Sequence, residues 1–187
     1  MADCTRDQTG ETASDAAVPP IPAWLADLPT VGGLVVPWVT PRTADGRYLL
    51  GTVSERRFHD AFHGRLCGVC GRGLGDRMVL LLRLSDLPQR CSYEPALHPQ
   101  CAAYTIAACP MVNGRLRRYR STPHRLDATL VQSPDVEARR GAPAEPWFAV
   151  WLPGYRVVVD HGNLAASYDG MTPLRVRPIT WRLPAFL

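Results

Sequence analysis

Hydrophobic and polar positions along the chain predict several short β-strands separated by turns. The apolar runs are short and end at proline, glycine or polar residues, which is typical of strands in small sheets. Pro37 favours an edge position for the first strand, because proline has no backbone N–H to donate a hydrogen bond to a neighbouring strand. Pro178 is expected to interrupt the last strand for the same reason. The predicted strands cover residues 34–39, 47–50, 78–84, 90–93, 147–152, 155–160 and 174–181.

Two of the connections predict antiparallel neighbours. The strands that begin at Met78 and Arg90 are separated by a short turn containing Pro88. The two strands near residue 150 are expected to form a hairpin across Pro153-Gly154.

The first predicted helix covers residues 55–63. Ser54 is a suitable N-cap, and Phe58 and Phe62 recur four positions apart, on one face of a helix. Gly64 is expected to end the helix.

A second helix is predicted to begin at Pro99 and to run to residue 108. Proline is favoured in the first turn of a helix, and Pro110 prevents the helix from continuing. A third, short helix is predicted over residues 133–141. Short antiparallel strands with two or three helices indicate an α+β fold.

The composition predicts one domain preceded by a tail. Residues 1–20 are polar, acidic and rich in alanine, so we expect a disordered tail, followed by a single domain over 21–187. Within it we expect two parts, one at about 55–112 and a strand region at about 146–182. No apolar run has the roughly 20 residues of a membrane helix, and no secretory signal is recognisable, so we expect a cytoplasmic protein with reduced thiols and no membrane partner.

Two pairs of potential metal ligands are the clearest indication of a functional site in the sequence. Cys67 and Cys70 are separated by two residues within a glycine-containing turn, and His98 and Cys101 have the same spacing at the start of the second helix. Residues three apart in a first helical turn share a face. Three thiolates and one imidazole favour tetrahedral zinc. We therefore predict one Zn²⁺ ion, and because four protein ligands leave no open position, a structural one.

The order of the elements around these ligands is that of a treble-clef zinc finger. A cysteine-containing turn (a zinc knuckle), a pair of strands and a ligand-bearing helix follow one another along the chain. We therefore expect the part at about 55–112 to be a zinc module. Three other residues offer alternatives. His63 with the first cysteine pair has the spacing of zinc-binding anti-sigma factors, and Cys91 or Cys109 can replace a predicted ligand, although buried thiols are the simpler interpretation for both.

The positive charge of the chain is carried by arginine alone. The sequence has 21 basic residues, no lysine and a net charge of +4. Four arginines cluster just after the second helix, with Tyr119 among them, and are candidates for nucleic-acid contact through phosphates and a stacked base. The alternative is a solvated loop in an arginine-biased chain. The four candidates are Arg115, Arg117, Arg118 and Arg120.

Catalytic motifs are not recognisable. Asp160-His161 resembles the pair of treble-clef HNH nucleases but lies after the second ligand pair instead of before it. The zinc deaminase, phosphate-loop and nucleophile-elbow patterns do not occur. The leading hypothesis is a non-enzymatic module that binds a protein or nucleic acid. The alternative is a small-molecule enzyme with a structural zinc and a site near Asp160, His161 or Tyr168.

Residues 66–75 and 94–104, with Ala108-Cys109-Pro110, resemble a family of uncharacterised actinobacterial and phage proteins. The segment Val36-Pro37-Trp38-Val39 and the tryptophan-rich strands near residue 150 are similar too, so the resemblance covers about residues 33–160. It implies a cytoplasmic zinc-binding protein and no particular activity. Gly73 stands where the family has proline, which leaves the ligand pattern intact.

Overall fold

The computed structural model describes residues 18–121 and 139–180. Within these residues the chain forms two α-helices and eight strands. The helices are α1 (Glu55–His63) and α2 (Pro99–Ala108). The strands are β1 (Thr30–Val31), β2 (Leu34–Val35), β3 (Met78–Arg83), β4 (Cys91–Ser92), β5 (Trp147–Leu152), β6 (Arg156–Asp160), β7 (Asn163–Ser167) and β8 (Arg175–Pro178). Short 3₁₀ turns occupy Ala23–Leu25 and Leu84–Asp86.

The strands form three antiparallel sheets. β1 and β2 pair with each other, β5 lies between β3 and β8, and β7 lies between β4 and β6. Mixed helices and antiparallel strands make this an α+β fold, as predicted from the sequence.

β3 separates two hydrophobic cores, which explains why its residues from Met78 to Leu82 are all apolar. Side chains alternate across a strand. The odd-numbered Val79 and Leu81 face a core that also contains Cys67 and Cys101. The even-numbered side chains face a second core that contains Phe62 of α1. They are Met78, Leu80 and Leu82.

Both predicted helices are confirmed at their predicted boundaries. α1 buries Ala61 and Phe62 and ends at Gly64, whose N–H donates to the carbonyl of Asp60. Ser54 occupies the N-cap position but makes no side-chain cap hydrogen bond. Most of the third predicted helix, over 133–141, and most of the predicted tail lie outside the described residues.

The predicted hairpin across Pro153-Gly154 is wrong. β5 pairs with β3 and β8, whereas β6 turns back onto β7 across His161-Gly162. Both turn residues have positive φ, 48° and 80°. A two-residue hairpin turn of the favoured type needs positive φ at both positions, which proline cannot adopt.

The expected pairing of the strands near residues 80 and 91 is also wrong, because β3 and β4 belong to different sheets. The side chain of Asp86 accepts hydrogen bonds from the backbone N–H and the guanidinium of Arg83. This buried contact holds a 3₁₀ turn directly after β3 and redirects the chain.

Two other predicted strands are shorter or absent. Residues 36–39 leave the β1–β2 hairpin after Val35, and residues 47–50 contribute one bridge, between Arg42 and Tyr48. None of the described helices has the length and apolar character that a membrane span requires.

Candidate metal centre

The four predicted ligands come together at one place. The ligand atoms of Cys67, Cys70, His98 and Cys101 all lie within 4.8 Å of one another. Cys67 and Cys101 are fully buried, and the other two are partly exposed. The spacing of the two pairs in the sequence therefore predicted a real cluster of donors.

The first cysteine pair lies in a tight turn that ends at a glycine with positive φ. The N–H of Gly71 donates to the carbonyl of Cys67 over 2.8 Å, and the N–H of Cys67 donates to the carbonyl of Arg72. Gly71 has φ of +70°, in the left-handed region that side chains with a Cβ avoid. This turn directs both sulfur atoms to the same side.

Backbone hydrogen bonds attach this turn to two other segments. The N–H of Gly68 donates to the carbonyl of Ala96, just before the second ligand pair. On the other side, the N–H of Trp38 donates to the carbonyl of Val69 over 2.8 Å. A Cβ at Gly71 would lie 2.7 Å from the Trp38 ring, so the indole covers the turn closely. Sequence analysis identified the tryptophan segment only as a strand and missed this role.

His98 is oriented by a backbone carbonyl. It is the N-cap residue of α2, and its Nε2 lies 2.9 Å from the carbonyl oxygen of Gly73. Since a carbonyl only accepts, Nε2 carries the proton and Nδ1 has the free lone pair. Nδ1 lies 3.4 Å from the sulfur of Cys70, inside the cluster. Metal-binding histidines commonly have their second nitrogen held in this way.

The surroundings of Cys67 favour its thiolate form. The pKa of Cys67 is lowered to about 5, first because the thiol of Cys101 donates a hydrogen bond to its sulfur. The same contact raises the pKa of Cys101, and burial raises that of Cys70. A cation bound among these sulfur atoms would favour the charged form of all three. The donor set of three sulfur atoms and one imidazole nitrogen fits Zn²⁺.

The alternative ligands do not belong to this cluster. His63 is exposed on α1, where its ring stacks on that of His59 at 6.2 Å between centroids. Cys91 is buried, with its sulfur 3.9 Å from a carboxylate oxygen of Asp160, and burial together with this charge raises its pKa to about 11. Burial also raises the pKa of Cys109.

Residues 115–120, which we call the arginine segment, lie on the surface after α2. Their backbone runs beside residues 141–144, because the N–H of Gly141 donates to the carbonyl of Arg120 over 3.3 Å. The structure thus brings the four candidate arginines together on one exposed stretch of chain. All four are exposed: Arg115, Arg117, Arg118 and Arg120. Their contact with nucleic acid stays a prediction.

Two of these guanidinium groups already donate to backbone carbonyls. Arg115 reaches back to the end of α2, where its Nη2 donates to the carbonyl of Ala107 over 3.5 Å. Arg118 donates to the carbonyl of Gly141 over 3.1 Å. Each contact uses one nitrogen of a group with five N–H donors, so both arginines keep donors for a further ligand.

Tyr119 is less suited to the predicted role than the arginines around it. The guanidinium of Arg139 lies over the Tyr119 ring at 5.8 Å from its centroid. One face of this ring is therefore already covered, which disfavours the predicted stacking of a base on it.

A shallow groove of about 250 Å³ lies beside the arginine segment. Arg117 and Glu145 are the ionisable residues among its lining, and the carboxylate of Glu145 is paired with the guanidinium of Arg139. The groove therefore offers the guanidinium of Arg117 for binding.

The residues of the alternative enzyme hypothesis lie at the two ends of the β6–β7 ladder, with Asp160 and His161 at the turn and Tyr168 directly after β7. The carboxylate of Asp160 accepts a hydrogen bond from the hydroxyl of Tyr93. His161 occupies the β6–β7 turn, and Tyr168 is buried beneath the guanidinium of Arg90.

Comparison with known proteins returned no matching protein-family model, no matching curated protein and no matching solved structure.

Proposed function

We propose that the protein binds one structural Zn²⁺ ion through Cys67, Cys70, His98 and Cys101. The observation that carries this proposal is the approach of four suitable donor atoms to within 4.8 Å of one another. Two donors come from a tight turn and two from the start of a helix, which is the ligand arrangement of a treble clef. The strands between the two pairs differ from that fold, since they belong to separate sheets.

The residues of the centre connect separate parts of the fold. Cys67 and Cys101 belong to the same hydrophobic core as Val79 of β3, although the two cysteines are 34 positions apart in the sequence. Bound zinc would hold the turn, the start of α2 and this core together by direct coordination. With four protein ligands the ion has no open position for water, so the centre supports folding and not hydrolysis.

Cobalt substitution tests whether the site is tetrahedral and closed. We expect Co²⁺ to bind in place of zinc and to give the intense visible absorption of tetrahedral cobalt together with thiolate-to-cobalt charge-transfer bands. Added azide should leave this spectrum unchanged, because no coordination position is open. A weak, octahedral spectrum, or one that azide alters, would contradict a structural site.

For the partner, we propose that the zinc-organised domain binds nucleic acid through the arginine segment, in a cytoplasmic setting and without catalysis. The support is the exposure of four arginines within six residues, from Arg115 to Arg120, next to a groove lined by Arg117. Arginine guanidinium groups bind phosphates with two parallel hydrogen bonds. Since the Tyr119 ring is covered on one face, contact through phosphates is favoured over base stacking.

Salt dependence tests this partner. If the arginines contact phosphates, affinity for short RNA or DNA should fall steeply with salt, by a log–log slope of about 0.7 to 0.9 per contact. Replacing both Arg117 and Arg118 with alanine should flatten the slope by about 1.4 to 1.8 units.

The matched control replaces Arg47 and Arg56, which are exposed elsewhere and carry the same charge. Equal slopes for wild type and the Arg117/Arg118 variant would reject the phosphate contacts and leave a protein partner as the better hypothesis.

A further inference from the structure

β6 forms an open edge of its sheet. It pairs with β7 on one side and is the last strand in the order β4–β7–β6. Within residues 18–121 and 139–180, no backbone hydrogen bond from another segment reaches β6. Such an edge exposes N–H and C=O groups that can pair with a further strand.

The turn after β6 determines which of its backbone groups point outward. The two-residue turn His161-Gly162 has positive φ at both positions, so the residues that flank it, Asp160 and Asn163, form a hydrogen-bonded pair. Hydrogen-bonded and non-hydrogen-bonded pairs alternate in an antiparallel ladder. The even-numbered residues of β6 therefore bond to β7. The outward-pointing backbone groups are those of Val157 and Val159.

Two of the edge strands of the three-stranded sheets, β6 and β8, differ in how their edges are protected. β8, at the edge of the β3–β5–β8 sheet, has the sequence Arg-Val-Arg-Pro, and charge and proline both discourage strand addition. β6 has three consecutive valines at its centre. Val159 is 71% exposed, the largest exposure among the large hydrophobic residues of the described chain. β6 is therefore suited to pairing, whereas β8 is not.

The sequence of β6 is complementary to itself in the antiparallel direction. If two copies align on a two-fold axis at Val158, each Val157 lies opposite Val159 of the other copy. At both ends Arg156 lies opposite Asp160, so each pair joins opposite charges. In this register the outward-pointing backbone N–H and C=O groups of Val157 in one copy face those of Val159 in the other copy, so the two residues form a hydrogen-bonded pair. Side-chain charge and backbone bonding thus select the same register.

We propose that β6 pairs with β6 of a second copy and joins two sheets across a two-fold axis. Arg156 donates through Nη2 to the carbonyl of Asp169, and Asp160 accepts from Tyr93 through Oδ2. Nη1 of Arg156 and Oδ1 of Asp160 have no hydrogen bond to the described residues and are available to the second copy. One five-residue strand covers less surface than the roughly 1,200 Å² of a stable interface, so the dimer is weak and reversible.

The test is sedimentation of the full, zinc-loaded chain over a range of concentrations. Wild type should shift from monomer to dimer as concentration rises. Arg156→Glu places two like charges opposite each other at both ends of the pairing and should raise the dimer dissociation constant roughly tenfold or more. Arg177→Glu on β8 makes the same change in net charge and should leave the dimer unchanged. A separate variant, Val159→Pro, removes an outward N–H while sparing the bonds to β7, and should also weaken the dimer.

Mixing two charge variants gives the most specific result. Asp160→Arg alone should be monomeric, as Arg156→Glu alone should be. An equimolar mixture should form a heterodimer, because both end pairs are again of opposite charge. Circular dichroism and zinc content establish that each variant is folded. If the wild-type protein stays monomeric up to its solubility limit, the proposal is wrong. Pairing of β6 with an extended segment of another protein would then be the better hypothesis. A dimer that Arg156→Glu does not weaken, or a mixture that does not associate, would also overturn the proposal.

Discussion

Replacing Cys70 with serine is expected to remove zinc from the protein and to unfold the region around the metal centre. A serine hydroxyl stays protonated at neutral pH and is a poor zinc ligand, so three donors remain. Zinc binding contributes roughly 10–16 kcal/mol to the folding of small zinc units, which exceeds the net stability of many domains. Wild type should contain about one zinc ion per chain, and the variant close to none. Elemental analysis measures the metal, and hydrogen exchange should show lost protection over residues 66–110.

Two other cysteines supply the control for this result. Cys91→Ala and Cys109→Ala should keep the zinc content of wild type, since neither sulfur belongs to the cluster, and each should cost about 1–2 kcal/mol of stability. Full zinc retention by the Cys70 variant would reject the proposed ligand set. Loss of zinc from either control would show that the set includes a different cysteine.

Gly71→Ala is expected to destabilise the protein by about 2–5 kcal/mol, the sum of a backbone and a packing cost. The residue has φ of +70°, which a residue with a Cβ adopts only with strain. The added Cβ would also lie 2.7 Å from the Trp38 ring, so the indole or the turn has to move. Because the moving turn carries Cys67 and Cys70, zinc affinity should fall as well. Urea denaturation and competition with a chromophoric chelator measure the two effects.

Gly75→Ala is the matched control for this change. A Cβ at Gly75 meets no atom within 4 Å, and this glycine does not have a positive φ. Its stability should stay within about 0.5 kcal/mol of wild type, as for most surface substitutions. If both alanine variants were equally stable, the close packing of Trp38 on the turn would not be important for the fold.

Features that depend on neighbouring residues were predictable from the sequence. α1 and α2 begin and end where the N-cap, Pro99 and Gly64 indicate, because helix boundaries depend on residues within one turn. The ligand set was predictable for a related reason. Two donors three positions apart share a side of a tight turn or of a helical turn whatever surrounds them. The α+β class followed from short strands alternating with these helices.

Strand pairing could not be predicted in the same way. β5 and β6 were both expected as strands, yet they pair with β3 and with β7 instead of with each other. A strand's apolar pattern shows that it needs partners without showing which ones, since the partners can lie far away in the sequence. β3 and β5 are separated by more than 60 residues, and only the folded chain reveals that pairing.

Like strand pairing, the surroundings of the metal ligands depend on the tertiary structure. The sequence alone predicted the four residues of the cluster and that their chemistry suits zinc, while His63, Cys91 and Cys109 stayed open as alternatives until the structure brought the four together. The sequence did not determine that the carbonyl of Gly73 orients His98, or that Trp38 covers the turn at Gly71. Nor did it separate the open edge of β6 from the protected edge of β8. Each of these features depends on which distant segments come into contact. Burying both faces of β3 requires segments from different parts of the sequence, and local sequence patterns do not show which segments these are.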